Sequence, residues 1–94
     1  IQVANMGVEV LLVAPEKYVG GMAVQGLGGT DINNHRTFKN AAAVGGLAFE
    51  FYERVSKKYG RIWNDSTRQS RDTWRFESSV AQAVYNEILQ EAGV

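Results

Sequence analysis

The chain has 94 residues, with ten basic and ten acidic side chains, a formal net charge of zero, one histidine, one proline and no cysteine. Zero net charge excludes capture of nucleic acid or an anionic membrane by overall electrostatics. The missing cysteines exclude disulfides, a thiolate nucleophile and cysteine-based metal centres.

A hydrophobic content of 45% is too rich for a disordered chain, and no apolar run reaches the roughly 20 residues that span a bilayer. No membrane partner is therefore expected. Ile1 to Met6 reads as the last turns of a helix, with Asn5 and Gly7 suited to the left-handed stop that ends helices. Val8 to Val13 is a short, almost wholly apolar run rich in β-branched residues, the pattern of a strand buried on both faces of a parallel sheet. Helix, glycine and buried strand make the second half of a βαβ unit.

Residues 14–39 show neither helical nor strand periodicity. They hold the one proline, Asn33-Asn34, and five of the ten glycines between Gly20 and Gly29. A structureless stretch of that length inside a compact domain points to a functional loop or one wrapped on a ligand.

A helix is predicted from about Asn40 to Tyr59, because Val44, Leu47, Ala48, Phe51, Val55 and Tyr59 step by three and four along one face. Glu50 with Arg54, and Glu53 with Lys57, are acid-before-base pairs at helical spacing, and Gly60 suits the position after the last turn. Gly45-Gly46 near the start weaken that helix by about 1 kcal/mol each relative to alanine. Arg61 to Arg75 is polar and irregular. A last helix is predicted over Ser78–Ala92, with Ser79 and Gln82 spaced as a capping box. Val80, Ala83, Val84, Ile88 and Ala92 form its buried stripe, and Gly93 stops it.

The glycine loop runs Tyr18-Val19-Gly20-Gly21-Met22-Ala23-Val24-Gln25-Gly26-Leu27-Gly28-Gly29-Thr30-Asp31. Paired glycines permit positive φ and let a backbone approach a flat or anionic ligand with its N–H groups exposed. Tight turns alone would also account for them. With Gly7-Val8-Glu9-Val10-Leu11-Leu12-Val13-Ala14-Pro15 before it, and Phe76-Glu77-Ser78-Ser79-Val80-Ala81 and Glu91-Ala92-Gly93-Val94 after it, the chain resembles a family of FAD-dependent oxidoreductases. That family has a glutathione-reductase-like nucleotide-binding fold, and some members carry labels such as "xanthan lyase-related".

The resemblance implies a Rossmann-like α/β fold in the parent protein, FAD as cofactor, and hydride transfer to flavin from a small-molecule substrate that the label suggests is carbohydrate-like. Val8 to Val13 would be the second strand of the sheet, ending beside the adenosine ribose. An acidic residue usually meets the ribose hydroxyls there; this chain has Ala14 at that place, with Glu16 two residues on as the candidate. Gly20, Gly21 and Met22 would line the phosphate and ribityl region, and Gly26, Gly28, Gly29 and Thr30 would run near the flavin, with Asp31 close by. The family's G-x-G-x-x-G fingerprint, whose helix N-terminus holds the pyrophosphate, does not occur in the 94 residues.

The chain thus reads as an internal fragment of an FAD-binding domain: residues 1–13 the end of a first helix and a second strand, 14–39 the flavin loop, 40–94 a helical segment. As a fragment it is expected to be mostly helical, with one strand, a long glycine-rich loop and two main helices, and inactive alone. The unpaired edges of its one strand leave it open to self-association.

Two other features carry chemistry. His35 is a candidate base near a flavin, weighed against an ordinary surface histidine; one histidine without cysteine does not make a metal site. Segment 54–75 has seven basic residues against two acidic ones, a net +5, interleaved with Tyr59, Trp63 and Trp74. That is the raw material of a small helical module binding nucleic acid or an acidic partner. Packed aromatics, with arginines paired to Glu50, Glu53, Glu77, Glu87 and Glu91, account for it more simply, so nucleic acid is disfavoured.

Overall fold

Gly60 and Gly93 end the two long helices in the same way. We label the helices α1 (Gln2–Asn5), α2 (Gly46–Lys58) and α3 (Ser78–Glu91) in this computed structural model, which describes residues 1–35 and 37–94. Arg36, inside the predicted loop, lies outside the described residues. After α2, Gly60 N donates to the Lys57 carbonyl and Arg61 N to the Ser56 carbonyl, each at 3.0 Å. After α3, Gly93 N donates to Gln90 and Val94 N to Leu89, each at 3.1 Å. These paired bonds are the Schellman arrangement, and it needs a left-handed residue, supplied here by Gly60 at φ 65° and Gly93 at φ 73°. Gly7, at φ 84°, likewise follows α1 as the sequence indicates.

The start of α2 differs from the expectation. The helix begins at Gly46 rather than about Asn40; Ala41–Ala43 forms a single 3₁₀ turn, and Val44 and Gly45 are extended. The glycine pair makes continuation of the helix costly, and the chain turns there instead. Helix α3 begins at Ser78 as predicted, but the capping box does not form. Extended Glu77 is the N-cap, with no side-chain cap bond, so Ser79 lies one residue inside the helix, where its hydroxyl is out of capping position. Gln82 Nε2 instead donates to Asn86 Oδ1 at 3.0 Å.

Helices α2 and α3 run antiparallel, since Arg54 pairs with Glu91 while Lys58, one turn further on, pairs with Glu87. Between them lies the core: Phe51 and Val55 from α2, Ala81, Val84 and Ile88 from α3, with Val24 and Phe76 closing it. Each large apolar side chain withdrawn this way contributes roughly 1.5–3 kcal/mol. Ala81 belongs to the buried seam of α3, a position the sequence stripe omitted.

A second cluster sits beside this core. Trp74 is fully buried, stacked edge-to-face on Trp63 at 5.2 Å and Tyr52 at 5.0 Å. Its indole N–H donates to the Arg68 carbonyl at 2.9 Å, so the polar end of the ring is satisfied. The Arg68 guanidinium lies 5.0 Å from the Phe49 ring centre and 5.6 Å from that of Trp63.

The predicted strand is absent: no β-strand occurs among the described residues, and Leu11 and Val13 are 87% and 83% exposed. The physical reason is pairing. A strand is stabilised by ladder bonds to a neighbour, and the described residues offer it none.

Candidate functional site

The glycine loop is draped over the start of α3. Its 3₁₀ turn, Gly21–Val24, packs Val24 into the core and leaves Met22 exposed. Five of the loop's amides are bonded within the chain: Ala23 N donates to the Gly20 carbonyl at 3.3 Å, Gln25 N and Leu27 N to the Met22 carbonyl at 3.2 and 3.3 Å, Gly28 N to the Gly26 carbonyl at 3.1 Å, and Gly26 N to Ser78 Oγ at 2.8 Å. Beside it, Tyr18, Val24, Ser78, Ser79 and Gln82 line a shallow cavity of about 270 Å³.

The glycines here divide into two sorts. A Cβ on Gly20 would come within 2.5 Å of the Tyr85 ring, and one on Gly28 would overlap the Phe76 carbonyl oxygen. Their missing side chains make room for the chain itself. Gly21, Gly26 and Gly29 face open space within 4 Å. Thr30, next to Gly29, carries a buried hydroxyl with no hydrogen-bond partner among the described residues. The space beside Gly20 and Gly28 is thus already filled, whereas Gly21, Gly26 and Gly29 are open and Met22 is exposed. Glu16 and Asp31 are exposed, Glu16 on an irregular segment well before the loop's turn.

His35 is exposed. Its Nδ1 accepts from Thr37 N at 3.3 Å and lies 3.1 Å from Thr37 Oγ1. Nothing in the described residues joins His35 to the glycine loop.

The chain belongs to the FAD dependent oxidoreductase family. The family model matches residues 1–94, the whole chain. No curated protein and no solved structure matches it. FAD is the cofactor the family implies.

In segment 54–75, six of the seven basic side chains have partners within the chain. Arg54 bridges Glu50 and Glu91, each at 2.6 Å, and Lys57 meets Glu53 at 3.3 Å. Arg61 lies 4.1 Å above the Tyr59 ring and donates to the Arg75 carbonyl at 2.8 Å. Arg68 pairs with Asp65, and Arg75 with Asp72 at 3.6 Å. Buried Trp74 presents no face for a base to stack on. Among the described residues, no helix is long and apolar enough to cross a membrane.

Two residues that sequence reasoning missed organise this region. Asn33, 2% exposed and in the left-handed region at φ 57°, accepts at Oδ1 from both Asn40 N and Ala41 N at 3.0 Å. Its Nδ2 donates to the Arg68 carbonyl at 2.7 Å. The signal was present in part: asparagine tolerates the left-handed conformation, and Asn33-Asn34 follows the glycine run. Ser78, the other, looked like a helix-start residue, and its hydroxyl serves the glycine loop instead.

Proposed function

We propose that this chain supplies the glycine loop and its supporting helices to an FAD-binding unit of Rossmann-like α/β architecture, in which flavin accepts a hydride from an unidentified small-molecule substrate, a carbohydrate-like one being the candidate. The chain is, on this reading, an internal part of that unit and inactive by itself. The observation that carries the proposal is a glycine loop in which Gly21, Gly26 and Gly29 have open space where a Cβ would stand and Met22 is exposed, in a chain that matches an FAD-dependent oxidoreductase model along its full length.

FAD, when bound, supplies a two-electron acceptor. The chain's own residues bind and orient: Gly21, Met22, Gly26, Gly29 and Thr30 give the cofactor backbone and a free hydroxyl, and Glu16 is the group available to ribose hydroxyls. Gly20 and Gly28 contribute through the shape of the loop. The G-x-G-x-x-G fingerprint, whose helix N-terminus would hold the pyrophosphate, does not occur in the 94 residues. Val8 to Val13, apolar and unpaired here, suits a parallel sheet completed by further chain.

The test is to express the protein together with the coding sequence before Ile1. A strand followed by G-x-G-x-x-G is expected there, and the longer protein should purify with flavin's visible absorption. Gly29→Ala should then lower flavin retention without changing the stability of the flavin-free protein. A longer protein that lacks the fingerprint, or stays colourless and leaves added FAD's fluorescence unquenched, overturns the proposal.

A further inference from the structure

Three residues from one stretch of chain, Phe76, Ser78 and Tyr85, hold the glycine loop. Gly26 N donates to Ser78 Oγ at 2.8 Å. Phe76 N donates to the Gly28 carbonyl at 3.0 Å, while the Phe76 carbonyl stands where a Gly28 Cβ would be. The Tyr85 ring, two turns into α3, fills the space beside Gly20.

We propose that Phe76, Ser78 and Tyr85 are positioning residues: they set the conformation of the glycine loop before any cofactor arrives. A loop with five glycines in ten residues has a large conformational entropy to lose, and a ligand that must order it binds correspondingly more weakly. Here that ordering is done by the chain's own hydrogen bonds and packing. Gly20 takes φ 122°, which side chains rarely adopt, and it is pinned there by an aromatic ring rather than by a ligand. Gly29 is the contrast. It has neither a positive φ nor a neighbour within 4 Å of a built Cβ, so nothing in the chain's own packing requires glycine there. Gly20 and Gly28 are thus taken up by positioning, while Gly29 is left open.

The inference rests on the flavin reading only for what the loop is presented to; the ordering of the loop stands by itself. Amide hydrogen exchange on the 94-residue chain without cofactor decides it. In Ser78→Ala, the Gly26 amide should exchange about tenfold faster, as expected for loss of one hydrogen bond in a locally opening segment, while Val84 and Ile88 amides in α3 keep their rates. Ser78→Thr, which keeps the hydroxyl, should restore slow exchange. An unchanged Gly26 rate in Ser78→Ala overturns the proposal. As a second measurement, Gly28→Ala should lower the Tm of the cofactor-free chain and Gly29→Ala should not; equal Tm values for the two variants also overturn it. If the longer protein fails to bind FAD, the flavin reading falls, and these exchange rates still decide whether the loop is clasped.

Discussion

Asn33 and Asn40 hold each other reciprocally: Asn33 N donates to Asn40 Oδ1 at 2.6 Å, and Asn40 N donates to Asn33 Oδ1 at 3.0 Å. The pair closes the turn between the end of the glycine loop and the 3₁₀ turn before α2, and Asn33 Nδ2 ties that turn to the Arg68 backbone. Burial makes these bonds matter, because an amide left without its partner there has no water to turn to.

Asn33→Ala should therefore destabilise the chain by about 2–4 kcal/mol, with the loss of three side-chain bonds outweighing the loss of side-chain volume. Asn33→Gly, which relieves the positive φ but also removes the bonds, should be only slightly better. Urea denaturation measures both. A cost below about 0.5 kcal/mol for Asn33→Ala would mean that the turn is held by something else.

Tyr52 and Tyr85 are half-buried between the helices, and burial raises both phenol pKa values above the ordinary value of about 10, with the Tyr85 charge adding to the shift at Tyr52. A raised pKa in the folded state means that the stabilising contribution is complete below the unfolded value and is lost as pH rises through the folded one. Tm should hold up to about pH 10 and then fall. Tyr85→Phe should match the parent near neutral pH and lose less Tm on the alkaline side. An identical alkaline decline in parent and variant would remove Tyr85 as a cause.

Glu91 behaves in the opposite sense. The Arg54 guanidinium, hydrogen-bonded to it at 2.8 and 2.6 Å, lowers its carboxyl pKa, and Arg54's own pKa is raised by Glu91 and Glu50. The contribution of a lowered carboxylate is present above its unfolded pKa and lost as pH falls through the folded value. Because the pair is solvent-exposed, the effect should be small and screened by salt. Arg54→Gln should flatten the acid side of the Tm profile at low salt, and parent and variant should converge at about 1 M salt. A difference that persists undiminished in high salt would contradict a screened surface pair.

Leu11 and Val13 project into solvent from an apolar run with unpaired backbone, the kind of edge that recruits another chain. Leu11→Lys should leave Tm within experimental scatter of the parent, since the side chain touches no core. It should also reduce concentration-dependent association in sedimentation velocity. A large Tm loss would show that Leu11 packs somewhere in solution, and unchanged association would place the sticky surface elsewhere.

Much of the helical skeleton was legible. Phe51, Val55, Val84 and Ile88 were marked by spacing, Gly60 and Gly93 by their place after the last turns, and Glu50–Arg54 and Glu53–Lys57 by their separation. These depend on neighbours within one or two turns, which a linear sequence displays. Val8 to Val13 failed for the complementary reason: a continuous apolar run reports a preference for burial, and forming a strand requires a partner that the run cannot supply.

The glycine loop shows the division most clearly. The sequence by itself determined that residues 20–29 would form neither a long helix nor a strand, since five glycines there favour turns, and it left open whether a ligand or tight turns use them. It also carried the family, through motifs spread along the whole chain. Only the tertiary structure decided what approaches which glycine: Tyr85 at Gly20 and Phe76 at Gly28, across separations along the chain that no local pattern encodes. A missing side chain looks the same in sequence whether a ligand, a ring or a carbonyl takes its space. The three-dimensional path of α3 tells them apart, leaving Gly29 open.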